Sequence, residues 1–570
     1  MKRFTALVAA TLVLAMTVAA AQAQQTLYWD NNGPTAGFVT PGSFGDGTWD
    51  SGTTSIWTTD PTGQIATTTW NDAASPANNA VINVAGASGT NGSGWVTEDA
   101  GITIATGTRT AGTLTIGDAG GAFQWVVPQG GGTVSAPNGI TILANTRVSM
   151  FPTPNFLGAF AGIFDSGTGN LTINSGAMLD INNLARLNAA GKVVLNGGTL
   201  YQRNGGSGGS LIPSAKNLEV TGPGTIGYDD GGNNNDSGVS ILNGTVITGT
   251  GGDPSTGGVG TLIKTGPDQV GYQYKADTGN GQSNAAQNSF AKLKVLQGGF
   301  RLRNTGSVVD ERLFGAVPTA PLADAITLDG GGIGTNQTVT LHANRGITIL
   351  NSAGNNLGVV AGNPALGGGY FDHGAGANLI IPGSLSGGGN LYIGDPTSAV
   401  VNSVGFTLSN TNNVNTFTGG LIGVRGLLQL NSSLAVNSLK DVSGFTTNPA
   451  NNATIGIATG QTLTVGTGNG SGTWSTVISG LGGFTKTGSG SQTLGAINTY
   501  GGDTKVQGGT LQINNADLAD AADVYVSTGA LFNLNFAGTD TVRSLLLNNV
   551  GQVVGTWGAP GSGAANTSAL

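Results

Sequence analysis

Cysteine is absent from this chain. That excludes disulfides as a source of stability and thiolates as metal ligands. Charge is scarce too: Asp, Glu, Lys and Arg make up 9% of the 570 residues, where ordinary globular domains carry about 25%. The formal net charge of −8 is spread thinly along the chain, which leaves no basic footprint for nucleic acid. Only two histidines occur, His342 and His373, far apart in sequence and a poor basis for zinc. There is no H-E-x-x-H and no phosphate-cradling glycine loop with Lys and Ser/Thr. No cofactor site is expected. After the first two dozen residues no apolar run is long enough to span a bilayer.

The chain is rich in glycine, with 101 residues, and its polar remainder is mostly Thr, Ser and Asn. Threonine favours strands, while Gly and Asn tolerate the positive φ of tight turns. The composition therefore points to short strands joined by corners. At the N-terminus, Lys2 and Arg3 precede an apolar run from Phe4 to Ala20 and a small-x-small site, Ala21-Gln22-Ala23. This pattern predicts a signal peptide over residues 1–23, cleavage after Ala23, and a secreted or cell-surface product with no membrane span after cleavage.

Residues 24–130 hold six of the eight tryptophans: Trp29, Trp49, Trp57, Trp70, Trp95 and Trp125. Two readings stand side by side. One is an aromatic cap closing the end of a β-stack, whose bare edge would otherwise template aggregation. The other is a glycan-stacking platform formed by Trp29, Trp49, Trp57 and Trp70. Further along, a short phrase recurs: a small residue, Gly, then alternating apolar and polar residues. It ends at Ile116, Ile181, Tyr201, Arg303, Val465, Ile513 and Leu534. Alternation places Leu511 and Ile513 on one strand face, Thr510 and Gln512 on the other. Strands this short need stacking to be stable. Coils of about 20–25 residues, stepping about 4.8 Å each, would build a rod on the order of 100 Å long.

The best-kept copy of the phrase runs G-L-G-G-F-T-K-T-G-S-G-S-Q-T-L-G-A-I-N-T-Y-G-G-D-T-K-V-Q-G-G-T-L-Q-I, Gly480 to Ile513. It resembles the autotransporter-associated β-strand repeat of large bacterial surface and secreted proteins. Gly482, Lys486, Gly488, Asn498, Tyr500, Gly502, Val506, Gly509 and Leu511 are among the residues that fit. Gln492 stands where an apolar residue is usual, and Ala496 where Gly is usual. A split copy lies near 258–302, with Lys264 at the position of Lys486, and a third near 387–430. Phe314–Pro318, Asn344–Thr348 and Gly555–Gly558 are similar to the spacers of such proteins, and the Y-W-D opening to their mature N-termini. The resemblance implies a right-handed parallel β-helix over residues 131–535, an aromatic cap and first coils over 24–130, and a small polar tail over 536–570. No strands of the kind that build a membrane barrel are read after Ile513.

Catalysis on a β-helix calls for carboxylates clustered on neighbouring coils. The acidic sets are Glu98 with Asp99, Asp229 with Asp230, and Asp165 with Asp180. Adjacent residues of a strand point to opposite faces, so Asp229 and Asp230 do not naturally share a substrate and read as a solvated turn. Asp229, Asp230 and Asp236 are weak candidates for calcium, which takes six to eight oxygens. Lys264 and Lys486 read as edge charges that block strand addition. The leading expectation is a non-enzymatic structural or adhesive protein that meets extracellular polysaccharide or cell-surface components. A polysaccharide lyase or hydrolase and a calcium-dependent extracellular binder are the alternatives.

Overall fold

The computed structural model describes residues 23–39, 46–85, 89–90, 96–97, 99–150, 162–181, 187–189, 191–203, 218–229, 240–241, 247–249, 260–266, 269–274, 288–304, 311–335, 337–352, 368–373, 377–394, 396, 405–410, 415–443 and 452–568. The predicted signal peptide lies outside them except for Ala23. Among the described residues nearly every regular element is a short strand, beside one 3₁₀ turn at Glu311–Phe314. None forms a helix long and apolar enough to cross a membrane.

The strands stack in parallel on three faces, and the chain visits the faces in a fixed cycle. Leu114–Ile116 lies on the first face, Gln124–Gln129 on the second and Thr133–Ser135 on the third. Ile140–Ile142 then returns to the first, directly beside Leu114–Ile116. This is a parallel β-helix, as the sequence implies. Ten-, thirteen- and four-stranded sheets carry the three faces at the start, and sheets of four to eight strands continue them. A thirteen- and then a seven-stranded sheet run along the second face. At about 4.8 Å per strand they give a rod of roughly 80–90 Å.

This length is of the expected order, while coil lengths vary more widely than expected. Toward the C-terminus Phe484 lies beside Thr504, Thr504 beside Val524 and Val524 beside Leu545, so each coil takes 20 or 21 residues. Upstream, Thr225 pairs with Ile263 and Ile347 with Leu385, 38 residues apart in both cases. The parallel register holds across these longer coils all the same.

That alternation fills the interior. Leu114, Ile140, Leu171, Val193 and Leu218 form one inward column, and Ile116, Ile142, Ile173, Leu195 and Val220 another; all are 2% exposed or less. Burying such side chains stabilises the fold by about 1.5–3 kcal/mol each, without any disulfide.

At the N-terminus the pairing changes sense. Thr26–Trp29 runs parallel to Asn79–Ile82 but antiparallel to Ser55–Thr58, which pairs antiparallel with Thr68–Thr69. These strands cover the edge of the first face. Beneath them the rings of Trp29, Trp49, Trp57 and Trp70 interlock, with centroids 4.8–5.4 Å apart. All four side chains are completely buried, so none offers a ring face on which a sugar could stack. Their position is that of a cap.

Candidate functional site

The recurring lysines are the first candidates, and the structure corrects their reading as edge charges. Both are fully buried. Lys486 stands two residues after Phe484, so it shares that residue's inward face, and its side chain curls into the corner that follows. There its Nζ donates to the carbonyls of Thr487 (2.5 Å), Gly488 (3.1 Å) and, one coil on, Gly508 (3.2 Å). Lys264 repeats the arrangement with Thr265 (2.7 Å), Gly266 (2.8 Å) and Gln297 (3.0 Å). Each lysine ties two coils together at a corner. Burial lowers the Lys486 ammonium below the usual lysine range. Replacing Lys486 by Met would leave three carbonyls without this donor, and a loss of about 2–3 kcal/mol is expected. Chemical denaturation would measure it, and hydrogen exchange should place the loosening around residues 486–508.

The other repeat residues are also absorbed by the scaffold. Gly488 and Gly509 have φ of +66° and +61°. A Cβ on Gly488 would lie 2.0 Å from the Gly466 carbonyl oxygen, and one on Gly509 2.2 Å from that of Gly490. Gly482 and Gly502 sit in equally close corners. Val506 and Leu511 are interior, and the Tyr500 hydroxyl meets Thr504 Oγ1 at 2.8 Å. Gln492, the departure from the repeat pattern, points inward. Its amide accepts from Leu439 N and donates to Leu439 O, both at 3.1 Å, so one side chain pairs like a strand residue.

Asn498 links three successive coils. Its Oδ1 accepts from Ile478 N at 3.0 Å, while its backbone N and Nδ2 donate to Asp517 Oδ2 at 2.6 and 2.9 Å. Burial raises the Asp517 carboxyl above the ordinary range, and the nearby Asp540 adds to the effect. A raised carboxyl contributes its full stability below the unfolded-state pKa and loses it as pH climbs through the folded-state value. Asp517→Asn removes that titration. The stability difference, variant minus parent, is therefore expected to shift in the variant's favour from acid to neutral pH, read from denaturation midpoints across that range.

Two of the sequence stretches that resemble spacers form one clamp. Arg345 is completely buried. Its Nε pairs with Glu311 Oε2 at 2.9 Å, Nη1 donates to Phe314 O at 3.1 Å, and Nη2 donates to Gly315 O at 3.0 Å and Ala316 O at 3.1 Å. Asn344 Nδ2 donates to Pro318 O at 2.9 Å. The N-R of the second stretch thus reads the carbonyls of the F-G-A-V-P stretch one coil earlier. His342 sits in the same turn, its Nδ1 accepting from Asn344 N.

Of the three acidic sets, only Asp165 with Asp180 lies among the described side chains, and the two stand on different faces. Glu98, Asp230, Asp236 and the side chains of Asp99, Asp229 and His373 lie outside the described residues. Asp165 is on the third face, where it accepts from Gly167 N. Asp180 is on the second, paired with Arg147 at 2.7 Å. The Arg147 guanidinium in turn lies 4.4 Å from the centre of the Trp125 ring, which is partly exposed. On the C-terminal coils Arg543 grips Asp523 through two bonds of 2.8 and 2.7 Å, and Lys505 lies over Tyr525. Among the described residues no three His, Cys, Asp or Glu side chains converge as a metal set would.

The outer faces do carry polar ladders between successive coils. Thr348 and Ser386 hydroxyls lie 2.8 Å apart on successive coils. Asn196 donates to Asn174, and Thr221 to Asn196. Near the far end Asn533 donates to Gln512 and Asn535 to Asn514. These columns repeat hydroxyls and amides along the rod axis, chemistry suited to hydrogen bonding with an extended polar surface.

Comparisons with known proteins agree with this architecture. The passenger-associated-transport-repeat family model matches residues 484–513, the coil and a half that contains Lys486, Asn498 and Gly509. Over 261 residues the chain is 28% identical to the adhesin BmaC autotransporter of Brucella suis biovar 1 (strain 1330), a match that takes in 42% of this chain and 7% of that protein. The chain thus aligns with only a small fraction of the curated relative's length. No solved structure matches the chain.

Proposed function

We propose that this chain, which carries an autotransporter passenger-type repeat, is a non-enzymatic β-solenoid that works outside the cell or at its surface as a structural or adhesive element. The observation that carries the reading is the use made of the repeat residues. Lys486, Lys264 and Asn498 spend their hydrogen bonds inside the scaffold, and the corner glycines stand where a Cβ would clash with the neighbouring coil. The recurring sequence therefore serves coil stacking, and contact with other molecules falls to the polar ladders between the corners. The similarity to an adhesin supports the same reading. Extracellular polysaccharide and cell-surface components are the partners that suit rows of hydroxyl and amide groups. The N-terminal pattern supports export by a signal peptide cleaved after Ala23; N-terminal sequencing of the secreted product should start at Gln24.

The test is retention of the purified mature chain on a panel of immobilised neutral and acidic glycans. Binding to at least one polymer, weakened by charged substitutions in the ladders such as Thr348→Lys or Asn533→Lys, is the expected outcome. Absence of binding to every glycan and to whole cells would set the adhesive part aside.

A further inference from the structure

The cap contains a buried carboxylate that the scaffold does not explain. Asp30 follows Trp29 at the end of the first strand and is fully buried. Its Oδ1 accepts from Asn32 N at 3.1 Å, but Oδ2 is buried with no hydrogen-bond partner. Burial raises the Asp30 carboxyl above the ordinary carboxylate range, the backbone amides of Asn32 and Gly33 act against that, and the charge of Asp60 adds to it. The side-chain oxygen and nitrogen of Asn32 are also buried without partners. A buried carboxylate left uncompensated is costly, and each such group in a native fold calls for an explanation.

The backbone holds these groups together. Asp30 N donates to Ile56 O, Asn31 N to Phe38 O, and Gly37 N to Thr62 O, which brings the turn after Trp29 against the Asp60 turn. Asp60 is itself fixed by Thr62 and Gln64. The result is a junction of two loops that brings the buried Asp30 and the Asp60 turn together. Calcium takes six to eight oxygens from carboxylates, amide and backbone carbonyls and water, in flexible geometry. Magnesium requires near-ideal octahedral ligands and keeps its own water.

We propose that the cap binds one calcium ion, held by Asp30 and the side-chain oxygen of Asn32, with Asp60 as the second negative charge. The ion would complete the hydrogen-bond and charge requirements of the turn and fasten the cap's two loops to each other. This site is separate from Asp229, Asp230 and Asp236, and does not depend on the adhesive reading.

The neighbouring tryptophans supply a direct probe, because an excited indole transfers energy to a nearby bound terbium ion. The full mature chain is titrated with terbium, with excitation of tryptophan, and the bound ion is then competed with calcium and with magnesium. The expected result is sensitised emission saturating at one ion per chain, displaced by millimolar calcium and poorly by magnesium. Asp30→Asn should abolish it, and Asn32→Ala should weaken affinity about tenfold or more. Near-UV circular dichroism of the tryptophan cluster verifies that each variant is folded. Should Asp30→Asn fail to fold, Asn32→Ala and a calcium-dependent rise in Tm of the parent chain carry the test. No sensitised emission from the folded parent, or emission unchanged in a folded Asp30→Asn or Asn32→Ala chain, overturns the proposal.

Discussion

Replacing Arg345 by Met is expected to destabilise the middle of the rod by about 3–5 kcal/mol, the range for removing one partner of a buried, hydrogen-bonded charge pair. The guanidinium is completely buried and reaches one carboxylate and three carbonyls, all held on or beside the Glu311–Ala316 turn. Methionine fills a similar length but donates nothing. Glu311 would lose its guanidinium partner, and the carbonyls of Phe314, Gly315 and Ala316 would each lose a donor. Lysine retains the charge but lacks the planar fork that reads several acceptors at once, so Arg345→Lys should recover only part of the loss. Denaturation of parent and variants measures the size of the effect. Hydrogen exchange over residues 311–316 and 345–349 should show it to be local, because coils of a solenoid couple mainly to their neighbours. A loss below about 1 kcal/mol, the scale of an exposed ion pair, would contradict the clamp.

Trp57→Ala should cost a similar amount, about 3–5 kcal/mol, typical of a large aromatic removed from a core. Trp57 touches the rings of Trp29, Trp49 and Trp70 at centroid distances of 5.4, 5.0 and 4.8 Å. Its strand is also the antiparallel cover on Thr26–Trp29. Losing it would both open a cavity and loosen the cover from the first parallel edge, which is a template for association. The variant is therefore expected to show faster exchange in the Thr26–Trp29 strand, a reduced near-UV signal and concentration-dependent light scattering. Trp557→Ala, at a half-buried ring in the C-terminal tail, should have a much smaller effect. Equal stability of the two variants would argue against a capping role for the cluster.

Strand identity and stacking are legible in the sequence because they rest on alternation, which any inward–outward pattern reveals. Leu511 and Ile513 are buried, and Thr510 and Gln512 only partly so, as alternation predicts. The same rule places Lys486 on the face of Phe484, Lys264 on that of Leu262 and Gln492 on that of Leu494. A general preference for charge at the surface obscured this. What alternation cannot show is that a corner gathers enough carbonyl oxygens to hold an ammonium group. The Arg345 clamp was hidden for a related reason. Its two halves are visible as separate phrases, but their contact depends on the coil register, and variable loops between strands make that register unreadable from spacing. The four tryptophans pose a different problem. A clustered aromatic composition suits a cap and a sugar platform equally, and only the burial of the rings separates them.

The measurement that bears most directly on the functional reading is a combined binding and product-release assay. The intact mature chain is incubated with neutral and uronate-containing polysaccharides under extracellular conditions with calcium present. Retention and the appearance of new reducing ends or unsaturated sugars are followed together over time. A passenger-type scaffold should retain one or more polymers reversibly and leave their length unchanged. Product that accumulates in proportion to protein and time, and that is lost on substitution of a carboxylate, would show turnover and contradict the non-enzymatic reading.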